Sequence, residues 1–172
     1  MPDWFSEGEY AVIAAACERV IAGSADAGGA DYIDGFLAAF AVDPPRIWAV
    51  TPRGSTFHRL SRLDELAWRT RIEGSQGRPE REFNGTVVGL QERYRDGLAA
   101  LGADFASLSG EEQDSRLKAN PEFTTLLYHH VCEAMYGPPA YGGNRDLAGW
   151  VAIDFPGDVQ PAGYSDDEVA TP

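Results

Sequence analysis

The sequence has few cysteines, little basic charge and no long apolar run, and each shortage excludes a class of protein. Cys17 and Cys132 are the only cysteines among 172 residues, which excludes a disulfide framework; both lie in apolar helical patterns, as small buried side chains do. No run approaches the roughly 20 apolar residues that cross a bilayer, so no membrane span is predicted. The 14 basic residues face 27 acidic ones, giving a net charge of −13, which makes nucleic acids and anionic membranes poor partners.

The composition is otherwise that of one folded domain. Hydrophobic residues make up 44% of the chain, and this length supports one core rather than two. We expect a helical domain over residues 1–157. Residues 158–172 hold four acids and no base, which predicts an acidic flexible tail.

Helical periodicity recurs along the domain and predicts an all-α fold of five to seven helices. Ser6 with Glu9, and Ser109 with Glu112, match the capping box at helix starts, while Asn120 precedes a proline at a first helical position. Residues 47–59 alternate around a turn and allow at most one short hairpin. A helix is predicted over residues 85–101, where two glycines, Gly89 and Gly97, indicate close approach by a neighbouring backbone.

Arginines cluster between residues 53 and 81, and we call this set the arginine island. It has two interpretations, a solvated helix surface or a docking face for acidic groups of a partner, for which Arg62, Arg69, Arg71 and Arg78 are the candidates. The other members of the island are Arg53, Arg59 and Arg81.

The stretch AYGGNRDLAGW, residues 140–150, is the candidate interaction loop. Its glycine pair lacks a preceding strand, a third spaced glycine and a Lys-Ser/Thr pair, so it matches no nucleotide-binding loop. We expect Gly142 and Gly143 to shape a turn and Asn144 to cap a short helix behind it. Leu147 and Val151 are then expected to anchor that helix in the core. The residues expected to contact a partner are Tyr141, Arg145 and Trp150.

An alternative interpretation makes the same loop a purely internal brace. In that case Arg145 and Asp146 pair with each other and hold the end of the chain. A glycine-shaped, capped loop suits either role.

Residues with catalytic chemistry are sparse. His129, Cys132 and Glu133 lie within one helical turn, but a zinc site needs a second cluster, and His58 is the only histidine elsewhere. We therefore expect His129 to be exposed and His130 to pack in the core. No serine lies in a nucleophile elbow, and neither cysteine has a cationic neighbour pattern.

The order of motifs resembles one known family. FASLSG followed by EEQD, then a helix with Phe123 and His130, then YGGNRDLAGWVAIDFPG is similar to the gluconate 2-dehydrogenase subunit 3 family over residues 6–157, most specifically over 136–157. This family contains the small subunits of heteromeric flavin dehydrogenases whose large subunit is of the glucose-methanol-choline type.

The resemblance implies a non-catalytic accessory subunit. The chain would bind the large flavoprotein subunit and support its folding, flavin loading and stability. FAD would lie on that partner, with no cofactor and no activity on this chain alone. Two alternatives remain: a free-standing helical binding module, and a small metal-dependent hydrolase using His129, His130 and Glu133.

The first residues of the sequence are the basis for the expected localisation. Many members of the family begin with a twin-arginine export signal, whereas MPDWFSEGEY holds neither paired arginines nor a basic stretch. A cytoplasmic complex is the expectation, and co-export to the periplasm stays open.

Overall fold

The computed structural model describes residues 1–51, 54–57 and 60–157, and these form seven α-helices and one β-hairpin. The predicted all-α class with five to seven helices is confirmed. The helices are α1 (Glu7–Val20), α2 (Gly29–Leu37), α3 (Arg62–Glu73), α4 (Leu90–Leu101), α5 (Gly110–Ala119), α6 (Pro121–Tyr136) and α7 (Ala148–Ala152).

The hairpin falls inside the predicted range 47–59. Strand β1 (Trp48–Thr51) pairs antiparallel with β2 (Gly54–Phe57), in a register that sets Trp48 opposite Phe57. Residues 158–172, for which a flexible tail was predicted, lie outside the described residues. No helix in the described part of the chain is both long and apolar enough to span a bilayer.

Local capping explains where two of the helices begin. At α1 the Ser6 hydroxyl accepts a hydrogen bond from the Glu9 amide at 3.3 Å, and the Glu9 carboxylate accepts one from the Ser6 amide at 2.8 Å. At α5 the same exchange links Ser109 and Glu112, at 3.4 and 3.0 Å. Both predicted capping boxes are confirmed. Each satisfies backbone donors that a helix start leaves unpaired.

Helix α6 contributes the most to the core and packs against α1, α2, α4 and α5. Its buried face carries His130 among apolar residues. The ring of His130 stacks on Tyr94 of α4, with centroids 5.7 Å apart, and its Nδ1 lies 2.8 Å from the Tyr94 hydroxyl. Cys17 of α1 is buried as predicted, and burial raises the pKa of its thiol to about 12. Cys132, in contrast, is partly exposed.

Helix α4 begins five residues later than predicted, at Leu90 rather than residue 85. The residues before it are tied to the turn after α3: the Ser75 amide donates to the Val87 carbonyl at 2.9 Å, and the Val87 amide to the Ser75 hydroxyl at 2.7 Å. A Cβ on Gly89 would overlap the backbone of Gly74, and one on Gly97 would overlap the ring of Phe123. The predicted close approach of a neighbouring backbone is therefore confirmed at Gly89, whereas at Gly97 the close neighbour is an aromatic side chain.

Candidate partner-binding site

The candidate interaction loop leaves the end of α6 and folds back over it. Helix α6 ends at Tyr136 with Gly137 as its cap, a short 3₁₀ turn follows over Pro139–Tyr141, and Gly142 has φ of 100°. That left-handed conformation favours glycine. Gly143 is required for a different reason, since a Cβ there would overlap the Ala134 carbonyl. The loop is thus shaped by its glycine pair, as the sequence predicts.

Asn144 holds the loop from inside. Its side chain is fully buried; Nδ2 donates to the Gly137 carbonyl at 3.1 Å, and Oδ1 accepts from the Gly149 amide at 2.9 Å. Gly149 belongs to the first turn of α7, so Asn144 does satisfy a helix-start amide. It does so from three residues ahead of the cap position, Leu147, and its own backbone is left-handed, with φ of 49°.

Arg145 connects the loop to the start of α2. Its amide donates to the Ala27 carbonyl at 3.0 Å, and its guanidinium lies 2.6 Å from the Asp31 carboxylate. Asp31 also accepts a hydrogen bond from the Tyr10 hydroxyl at 2.8 Å. Partial burial, reinforced by this hydrogen bond, raises the pKa of Tyr10 to about 12. The partner of Arg145 is therefore Asp31 and not Asp146, and just over half of its side chain stays exposed.

The predicted anchoring of α7 by Leu147 and Val151 is wrong, since they are 43% and 73% exposed. The residue that meets α6 is Gly149, where a Cβ would overlap the Met135 carbonyl. Val151 lies two residues after Gly149, roughly 200° around the helix, so the close approach at the glycine turns its side chain outward. Leu147 precedes α7 and has a left-handed backbone, with φ of 60°. Trp150 is half-buried, and its indole nitrogen donates to the Tyr136 carbonyl at 2.9 Å.

Beside the loop lies an open groove of about 550 Å³ between α2, α3 and the end of α6. Tyr32, Phe36, Trp68 and Tyr141 supply aromatic walls, with Phe36 edge-on to Trp68 at 6.1 Å between centroids. Charged groups from several elements line it as well: Asp31, Arg46, Arg71 and Glu133.

Two contacts fix the polar groups of the groove. The Tyr32 hydroxyl donates to the Glu133 carboxylate at 2.9 Å. Burial, with the nearby Glu133 charge, raises the pKa of Tyr32 well above its ordinary value. The Arg71 guanidinium lies 5.2 Å from the Trp68 ring centroid, within the range of a cation–π contact. The groove therefore presents a protonated phenol, held by Glu133, and a cation that lies against an aromatic ring.

The described arginines of the island do not lie together in the structure. Arg69 pairs with Glu65 and Glu73 at 2.7 Å each and lies over the Phe40 ring, so its charge is already neutralised. Arg81 is buried and also contacts Glu73, at 2.9 Å. The exposed members with a described side chain are Arg62, Arg71 and Arg78. Arg53 and Arg59 lie outside the described residues.

Arg62 and Arg71 do not share one helix face. At about 100° per residue, nine positions along α3 place their side chains roughly 180° apart. Only Arg71 borders the groove. The described arginines of the island therefore do not form one continuous patch, and the role of the island in docking stays a prediction.

The histidine cluster is arranged for packing. His130 is buried against Tyr94 and Phe36, and burial lowers its pKa to about 4. His129 is exposed, as expected. Among residues 1–51, 54–57 and 60–157, no group of three or more histidine, cysteine, aspartate or glutamate side chains could hold a metal ion.

Sequence reasoning missed the groove and the acidic partner of Arg145. Tyr32 and Phe36 fit the apolar stripe of α2, and spacing alone cannot separate a core residue from one lining an open groove. Asp31 carried a weak signal, because acidic residues favour the first turn of a helix. Nothing in the sequence pairs it with a residue 114 positions away.

Comparison with known proteins adds one match. The family model described as gluconate 2-dehydrogenase subunit 3 matches residues 7–157, which includes all seven described helices and the candidate loop. No curated protein and no solved structure matches the chain.

Proposed function

This chain belongs to the gluconate 2-dehydrogenase subunit 3 family, and we propose that it is the non-catalytic accessory subunit of an FAD-dependent sugar or polyol dehydrogenase. Membership makes it a subunit of a heteromeric complex with a larger subunit. In our proposal the larger subunit is a flavoprotein of the glucose-methanol-choline type, which carries FAD and the catalytic residues. This chain would support its folding, flavin loading and stability.

The observation that carries the proposal is the family match over residues 7–157. The geometry supports it, because the candidate loop presents groups for recognition. Asn144 and the two glycines fix the backbone, while Arg145 and the aromatic groove face outward. A left-handed conformation costs a non-glycine residue roughly 1–3 kcal/mol. Such residues occur where the surrounding structure enforces the conformation, often at functional sites.

The decisive experiment is purification of the chain from the cells that produce it. We expect a larger subunit to copurify in fixed stoichiometry, to be identified by mass spectrometry, and to give the complex a flavin absorption spectrum. The chain alone should bind no flavin and oxidise no sugar. A stable monomer without a constitutive partner would contradict the proposal and favour a free-standing helical binding module.

Arg145 is the most direct test of the candidate loop. Its ion pair with Asp31 is partly solvated and worth only about 0–1 kcal/mol, so Arg145→Ala should leave the melting temperature of the isolated chain within a few degrees. Binding to the larger subunit should weaken by about 1 kcal/mol or more if the guanidinium contacts it. Arg19→Ala is the matched control, because Arg19 forms a similarly exposed ion pair with Asp114 at 2.7 Å. Equal binding by the two variants would assign the loop an internal bracing role.

The arginine island has its own test. Arg71→Glu combined with Arg78→Glu should slow association with the larger subunit if these arginines meet acidic groups there. Arg95→Glu with Lys118→Glu changes the charge equally on other exposed positions. Identical association rates for the two double variants would make the island ordinary solvated surface.

A further inference from the structure

Four exposed apolar side chains lie within nine consecutive residues at the end of the described domain, in and beside α7, and we call this set the apolar platform. They are Leu147, Val151, Ile153 and Phe155, with 43%, 73%, 54% and 45% exposure. Scattered exposed apolar residues are normal, whereas a concentrated set usually marks an interaction site.

The platform has a fixed backbone. The Trp150 indole is bonded to the end of α6, the Phe155 amide donates to the Trp150 carbonyl at 2.8 Å, and the Phe155 ring meets Trp150 edge-on at 5.1 Å. On the inner side, Gly149 packs directly against the backbone of α6. Asp146, Leu147 and Asp154 have left-handed backbones, with φ of 54°, 60° and 54°. Only a well-supported segment holds non-glycine residues in this way.

We propose that the apolar platform docks against the larger subunit, on an apolar surface of that subunit bordered by lysine and arginine side chains. This inference rests on the proposed function and names the surface that carries it. The platform would then lie at the centre of the contact and the acidic side chains of Asp146 and Asp154 at its rim, in the order usual for protein interfaces.

The charges beside the platform favour a partner surface that is bordered by basic side chains. Asp146 and Asp154 are exposed beside the platform. A second copy of a chain with net charge −13 would bring acid against acid, and an anionic membrane would be repelled in the same way. A partner surface with a basic rim satisfies both the apolar centre and its acidic border.

A pair of valines provides the test. Val151 in the platform and Val88 in the loop before α4 are both exposed, at 73% and 53%, so aspartate at either position should leave the isolated chain folded. The probe is the larger subunit that copurifies with the wild-type chain, produced separately and titrated with each variant. We expect Val151→Asp to weaken binding at least about tenfold, and Val88→Asp to bind like the wild type. Circular dichroism melts of the isolated variants verify that both are folded.

The outcomes distinguish this inference from the proposed function. If the larger subunit copurifies but Val151→Asp and Val88→Asp bind it equally, the platform is not the docking surface, while the accessory role stands. If the wild-type chain recovers no larger subunit, both fail. A concentration-dependent dimer of the isolated wild-type chain that Val151→Asp dissolves would assign the platform to self-association and overturn the proposal.

Should Val151→Asp fail to fold, Ile153→Asp replaces it. This residue caps the C-terminal end of α7 and is 54% exposed. Binding of the folded Ile153→Asp variant at wild-type strength would overturn the proposal.

Discussion

A single buried amide holds the candidate loop on the domain. Asn144→Ala removes both its hydrogen bond to the half-buried Gly137 carbonyl and its hydrogen bond to the buried Gly149 amide, and places alanine in a left-handed conformation. We expect a loss of about 2–3 kcal/mol in the free energy of unfolding. Urea denaturation measures it, with Asn84→Ala as the control at an exposed asparagine; that change should stay within about 0.5 kcal/mol. Equal effects would mean that the two bonds contribute nothing to stability.

His130 makes the stability of the domain dependent on pH. Burial lowers its pKa from 6.5 to about 4, with Arg71 and Arg93 adding to the shift and Glu133 opposing it. A group with a lowered folded-state pKa contributes stability above its unfolded pKa and loses it as the pH falls through the folded value. Stability should therefore drop between pH 6.5 and 4, by up to about 3 kcal/mol from this residue.

The measurement is the free energy of unfolding as a function of pH for His130→Gln, compared with His129→Gln at the exposed neighbour. Carboxylates titrate in the same window in both variants, so the difference between the two curves isolates His130. We expect His130→Gln to be less stable at pH 7 and to lose less on acidification. Parallel curves would show that the buried imidazole does not titrate in this range.

At the scale of elements, the crossing of α4 and α6 depends on a glycine. A Cβ on Gly97 would overlap the Phe123 ring, so Gly97→Ala should destabilise the domain by about 1–3 kcal/mol despite the better helix propensity of alanine. Gly8→Ala in α1 is the control, because nothing lies within 4 Å of a Cβ there. It should stabilise the domain by up to about 1 kcal/mol. Thermal melts of both variants show whether each substitution raises or lowers the stability of the domain. A stabilised Gly97→Ala variant would mean that the two helices can separate at little cost.

For the whole molecule, the net charge of −13 bears on how the subunit meets its partner. With a basic rim on the larger subunit, long-range attraction should steer the encounter, and salt should screen it. We expect the association rate to fall at least about tenfold between roughly 0.05 and 0.5 M salt, with a much smaller change in the dissociation rate. Stopped-flow mixing of the separated subunits measures both. Association that is independent of salt would exclude electrostatic steering.

The sequence alone determined the features that depend on neighbouring residues. The capping boxes at Ser6 and Ser109, the proline start of α6 and the turn at Gly142 are all specified within a few positions. Hydrogen bonds of this kind close over short distances, so their residues appear together in the chain. Periodicity likewise predicted the helical class and the burial of His130.

Only the tertiary structure decided which faces those elements present. Gly149 against α6 turned Val151 outward, and the turn after α3 delayed the start of α4. Contact between distant segments also gave Arg145 its partner Asp31 and placed aromatic residues of α2 and α3 around one groove. These outcomes depend on how closely two backbones approach. Local spacing does not encode that distance, because the groups that set it lie tens of residues apart and meet only when the helices pack.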